Sequence, residues 1–215
     1  MSILSNTAVG NLLVSNIPRD LIMGVEDALQ VGALRAYQSA SVMNKGHLPH
    51  ALGQMRHFNM NETFHDALAA ADANPTPVRG NSLIVGQSGI FVLSRLNVSS
   101  KIWNNAKRSK TRRKLCHANF KIEPLVQPGF FDDSRPVVEG AVFFVASFSG
   151  SMRISPESPQ SIDIAVPNAE MTSWLFREPL SQYVLRYEST PVQDDQANPI
   201  LKTIIHKKLL NGAEE

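Results

Sequence analysis

The chain has 215 residues, 43% hydrophobic and 19% charged, which is enough for a buried core and excludes the charge-rich disordered class. Its single cysteine, Cys116, excludes an intrachain disulfide and every multi-cysteine zinc pattern, and no stretch reaches the roughly 20 apolar residues of a membrane span. The formal net charge of +2 conceals a separation, because residues 73–122 carry ten Lys and Arg and no Asp or Glu.

Elsewhere that leaves 11 basic against 19 acidic residues, so a middle section near +10 lies between flanks summing to about −8. Such a separation builds a local positive potential that attracts polyanions even when the net charge is small.

The first charged side chain is Arg19. Polar residues such as Ser5, Asn6, Asn11 and Ser15 interrupt the preceding run and no basic residue opens it, so it does not have the pattern of a secretory signal. Together with the lone cysteine, this predicts a reducing, cytoplasmic setting. Asp20 is placed to cap a helix beginning at Leu21. On that helix Leu21, Ile22, Val25, Ala28, Leu29, Gly32, Ala36, Ala40 and Met43 share one face, and Ala28, Gly32, Ala36 and Ala40 recur every fourth position. Small residues in a row admit a second helix closely; an intramolecular partner is the plain reading, and a homodimer seam is the alternative.

A second helical stretch carries Leu48, Leu52 and Met55 on one side. Its polar side, His50, Gln54, His57 and Asn61, has the form of an exposed stripe. A break is expected over Asn59–Thr63, with Thr63 and Asp66 restarting the helix as a capping box. Asn74-Pro75-Thr76-Pro77 closes the helical region.

Strand patterns begin near Asn81. Ser82–Val85 and Ile90–Leu96 flank Gly86-Gln87-Ser88-Gly89, which predicts a hairpin turning on those glycines. Residues 99–116 are expected to start as a helix with Ile102, Trp103 and Ala106 on one face, and then to become an exposed basic helix end or loop. Val137–Phe148 is a strand, Met152–Ile154 its return, and Ser161–Val166 another strand by strict alternation. Trp174–Phe176 begins a further short element. Tyr183, Leu185 and Tyr187 alternate like a strand, and a terminal helix is expected from Pro199.

Helices precede strands instead of alternating with them. The expected class is therefore α+β, with N-terminal helices packed against a mostly antiparallel sheet and a C-terminal helix. A helical region over 1–78 and a β-rich region over 79–215, with its basic segment and terminal helix, would form one compact domain.

The chemistry concentrates in Lys107, Arg108, Lys110, Arg112, Arg113 and Lys114, six cations in eight residues. Phosphate backbones reward this composition, because each neutralised phosphate releases condensed counterions. The expected function is therefore non-enzymatic binding of an anionic partner, nucleic acid first, through a segment around 101–121. An acidic protein is the alternative partner, as in one half of a toxin–antitoxin or regulatory pair. A third reading, a metal-dependent nuclease, would need Asp132, Asp133, Glu139 and Asp163 to converge.

No catalytic residue, metal site or cofactor is assigned. His50 and His57 stand about 10 Å apart on an ideal helix, too far to share one ion. Cys116 beside Arg113, Lys114 and His117 would be an activated thiol only if exposed. No phosphate-loop or dinucleotide glycine pattern occurs.

Overall fold

The computed structural model describes residues 3–99, 104–126 and 137–188. Three helices open it: α1 (Ile3–Val14), α2 (Arg19–Ser41) and α3 (Leu48–Ala70). Leu21, Ile22, Val25, Leu29, Gly32, Ala36 and Ala40 are buried along α2, as the helical spacing predicts, whereas Ala28 is half-buried and Met43, beyond the end of the helix, is exposed. The row of small residues packs within the chain, against α3. A side chain at Gly32 would put its Cβ 2.8 Å from Met60 Cα and 3.1 Å from Asn59 O, so the two helix backbones nearly touch there.

Two expectations about these helices are corrected. Asp20 is not the cap, since α2 begins at Arg19 after Pro18, and Asp20 lies in the first turn where its charge suits the helix dipole. Nor does α3 break at Asn59–Thr63. The polar groups there are satisfied without interrupting the ladder. Asn59 Nδ2 donates to Met55 O at 3.0 Å, Thr63 Oγ1 donates to Asn59 O at 3.2 Å, and Asn61 donates to the Ser82 carbonyl and accepts from Arg95 on the sheet.

The sheet follows, with β1 (Val85–Ser88), β2 (Phe91–Ser99), β3 (Gly140–Phe148), β4 (Ser161–Pro167) and β5 (Trp174–Pro179) in that spatial order. Three of its four pairings are antiparallel; β2 and β3 run parallel from Phe91↔Gly140 to Ser99↔Phe148. The fold is α+β, with N-terminal helices on a mostly antiparallel sheet. A parallel pair needs a crossover between its strands. Here that crossover contains the basic segment, as α4 (Asn104–Lys107), α5 (Lys110–Cys116), a 3₁₀ turn at His117–Lys121 and α6 (Glu123–Val126).

The crossover explains why β3 is apolar on both faces from Ala141 to Ala146. Val142, Phe144, Ala146 and Phe148 join the core shared with α1, α2 and α3, while Ala141, Phe143 and Val145 join the core that includes Ala106 and Cys116. Phe64 and Phe144 meet edge to face at 5.9 Å between centroids, joining α3 to the sheet. Each is fully buried, which contributes about 2 kcal/mol apiece from transfer out of water. The larger core draws on both sides of residue 78.

The hairpin turns one step later than expected. Gly86-Gln87-Ser88 lie within β1, and the turn is Gly89-Ile90, with Gly89 at φ +52°. Gly86 is needed for closeness, since a Cβ there would stand 2.9 Å from Ala73 O and from Leu68 Cδ1. Met152–Ile154 forms turns, not a returning strand. Tyr183–Tyr187 is helical: α7 (Leu180–Tyr183) runs into a 3₁₀ turn at Val184–Tyr187. There Tyr183 and Tyr187 pack edge to face at 5.7 Å, an arrangement strand alternation does not anticipate. The helix expected from Pro199, and the expected places of Trp103 and Asp132-Asp133, lie outside the described residues. No helix among the described residues is long and apolar enough to cross a membrane.

Candidate anion-binding surface

Ser109 starts α5 by accepting the Arg112 N–H at 3.3 Å on its Oγ. Successive residues then rotate by about 100°, so Lys110, Arg113, Lys114 and His117 fall on one side. All four are exposed. Together with Phe120 and Glu139 they line a surface groove of about 530 Å³. Phe120 is 50% exposed, with the Lys121 ammonium 5.7 Å from its ring centre. Arg108 is exposed and Lys107 half-buried in the preceding turn.

Among the described residues, none of the six predicted cations forms an ion pair. The one carboxylate lining the groove, Glu139, is engaged by Lys121 at 2.8 Å.

Arg112 separates from the other five. It points to the opposite side of α5, is half-buried, and its Nε is buried without a hydrogen-bond partner among the described residues. It faces a cavity of about 240 Å³ that also receives Arg95, His57, Asn61 and Asn97. Arg95 is 4% exposed. Its Nε donates to Asn61 Oδ1 at 2.9 Å, its Nη1 to Asn97 Oδ1 at 2.9 Å, and its Nη2 to the His57 carbonyl at 2.7 Å. All three acceptors are neutral. Burial, with a further contribution from Arg112, pushes the Arg95 pKa down to about 9. Burial also lowers the Arg112 pKa, and it lowers that of His57, where Arg95 and Arg112 add to the effect.

Sequence reasoning missed this second cluster. His57 and Asn61 do share a stripe with His50 and Gln54, yet only the latter two are exposed. Asn61 is buried at 3% exposure and His57 is turned toward the cavity. The available signal was Arg95 itself, a lone charge inside the apolar run Phe91–Leu96, which a buried strand does not tolerate without polar partners.

Other candidate chemistry is dispersed. Asp163 is opposite Val145 in β4 and bonded by Arg177 Nε at 2.7 Å, whereas Glu139 precedes Gly140, about 20 Å away along the sheet at some 3.4 Å per residue. These two carboxylates therefore cannot bridge one metal ion. No group of three His, Cys, Asp or Glu side chains able to hold a metal occurs among the described residues. Cys116 is fully buried, and burial pushes its thiol up to about 12, against the lowering its cationic neighbours would cause at the surface. No protein-family model matches the chain, and neither curated proteins nor solved structures gave a significant match.

Proposed function

We propose that the protein binds nucleic acid along the α5 groove, with Lys110, Arg113 and Lys114 on phosphates and Lys107 and Arg108 extending the contact. The observation that carries this reading is the shared exposure of those three cations on one helix face, beside an exposed aromatic ring and without acidic partners among the described residues. Phosphates one to two nucleotides apart suit cations spaced by a helical turn of about 5 Å. Phe120 supports an unpaired strand over a duplex, because an exposed ring stacks on an unpaired base. An acidic protein would use the same charges but has no comparable use for the ring.

The test is fluorescence anisotropy with a labelled single-stranded oligonucleotide across a salt series. Replacing Lys110, Arg113 and Lys114 together by Gln removes three phosphate contacts, so the slope of log K against log salt becomes shallower by about 2. An unchanged slope overturns the proposal. Phe120→Ala weakens binding while leaving the slope in place.

A further inference from the structure

The cavity behind α5 has a specific place in the fold. β1 begins at Val85, opposite Ser94, so residues 95–99 of β2 extend beyond it with no strand partner on that side among the described residues. The cavity opens at this carboxyl end of β2, where the chain departs for the crossover. Its walls come from α3 and α5, and its floor from β2.

Its charge is one-sided. Arg95 and Arg112 both line it, and among the described residues no carboxylate does. Burying a guanidinium is costly unless an opposite charge compensates it, and among the described residues Arg95 has neutral acceptors alone. A second guanidinium nearby adds repulsion. Arg112 also retains a buried Nε with no partner among the described residues. An anion entering the cavity compensates both charges at once.

We propose that this cavity is a binding site for a phosphate monoester, held between the guanidinium groups of Arg95 and Arg112. The planar fork of arginine matches a phosphate with two parallel N–H···O bonds, and a doubly charged group offsets two cations where a carboxylate offsets one. The space, about eight water volumes at ~30 Å³ each, exceeds what a bare phosphate fills and leaves room for part of its ester substituent. The phosphate has two possible sources, a free small ester or the 5′ end of a nucleic-acid strand. The site does not depend on the outer groove binding nucleic acid, because Arg112 lies on the other side of α5 from Lys110, Arg113 and Lys114.

The experiment uses the full chain and three probes: inorganic phosphate, and one short oligonucleotide with either a 5′-phosphate or a 5′-hydroxyl. Variants are Arg112→Gln and, as a control, the triple Gln substitution in the groove. Arg112→Gln is the diagnostic change, since Arg95→Gln disturbs the core and risks unfolding. Phosphate is expected to raise the Tm saturably, by at least about 3 °C over chloride at equal ionic strength, in the wild type and the triple variant. In Arg112→Gln its apparent affinity falls at least fivefold. A fivefold preference for the 5′-phosphorylated strand, lost in Arg112→Gln and kept in the triple variant, assigns the strand end; equal affinities for the two strands assign a free ester. Phosphate stabilisation that matches chloride, or that survives Arg112→Gln unchanged, overturns the site. Failure of the triple variant to alter strand binding would count against the groove alone.

Discussion

The side-chain amide of Asn119 pairs with the backbone of Ala141 in both directions. Ala141 N–H donates to Oδ1 at 2.6 Å, and Nδ2 donates back to the Ala141 carbonyl at 3.0 Å. The same Nδ2 donates to Pro167 O at 2.8 Å, so one carboxamide bridges β3 and β4 just beyond their last ladder pair. Asn119 is fully buried and belongs to the 3₁₀ turn after α5. It therefore fastens the cationic crossover to the sheet.

Truncating this link leaves buried backbone groups without partners. Asn119→Ala is expected to destabilise the protein by about 1–3 kcal/mol in urea denaturation. Asn119→Asp costs more, because it sets a buried carboxylate against two carbonyl oxygens. Both also weaken oligonucleotide binding, since α5 loses its anchor. Wild-type stability in Asn119→Ala would mean that the bridge is dispensable.

Gly24 and Gly32 share α2 but predict opposite outcomes. A Cβ at Gly24 meets nothing within 4 Å, so Gly24→Ala stabilises by about 0.5–1 kcal/mol through helix propensity. At Gly32 the new Cβ collides with α3 backbone, and Gly32→Ala loses about 1–3 kcal/mol by forcing the helices apart. Thermal denaturation of the two variants side by side decides it. A common sign would refute the close approach.

Cys116 is expected to be inert in the folded protein. Fully buried, with its thiol pushed up to about 12, it offers neither access nor thiolate at pH 8. A chromogenic disulfide reagent should therefore titrate no thiol under native conditions and one per chain in denaturant. Rapid native reaction would contradict the burial.

Stability should depend on pH through His57, which faces Arg95 on β2 and Arg112 on α5 and lies 3.3 Å from Asn61 Nδ2 on its own helix. Burial and the two cations lower its folded-state pKa below the ordinary 6.5. Below 6.5 the unfolded chain takes up a proton that the folded protein resists, so stability falls as pH drops toward the lowered folded value and is fully present above 6.5. His57→Gln removes that component. Urea denaturation at pH 7 and pH 5 should show a smaller loss in the variant, and equal losses would exclude His57 as the source. A saturating phosphate ligand between the arginines would reduce the loss in the wild type.

The order of helices before strands, and the α+β class with it, could be read from periodicity. A repeat near 3.6 or 2 records which face of an element is apolar, and each such record is local. The face of α2 ending in Ala36 and Ala40, the strand over Ser161–Val166 and the halt at Pro75 and Pro77 all depend on neighbours within a few positions. So does the charge of the middle segment, because no acidic residue lies within it. Where polar residues interrupted a pattern, local reading failed. Asn59, Asn61 and Thr63 suggested a break, yet their side chains find partners inside the helix and, through Arg95, on the sheet, which leaves α3 continuous.

Pairings over long separations were decided by the tertiary structure alone. Residues 91–99 lie parallel to 140–148 because the basic segment crosses over the second face of the sheet, a relationship no local pattern encodes. The same crossover turns Arg112 inward while Arg113, one residue and about 100° of helix rotation later, stays in solvent. Composition fixed the six cations within eight residues of one another; packing against β2 and α3 decided which of them meets Arg95. The physical reason is that a sequence specifies charge and period directly, whereas the surroundings of a buried charge are supplied by residues such as Asn61, 34 positions away, that only the folded chain brings near.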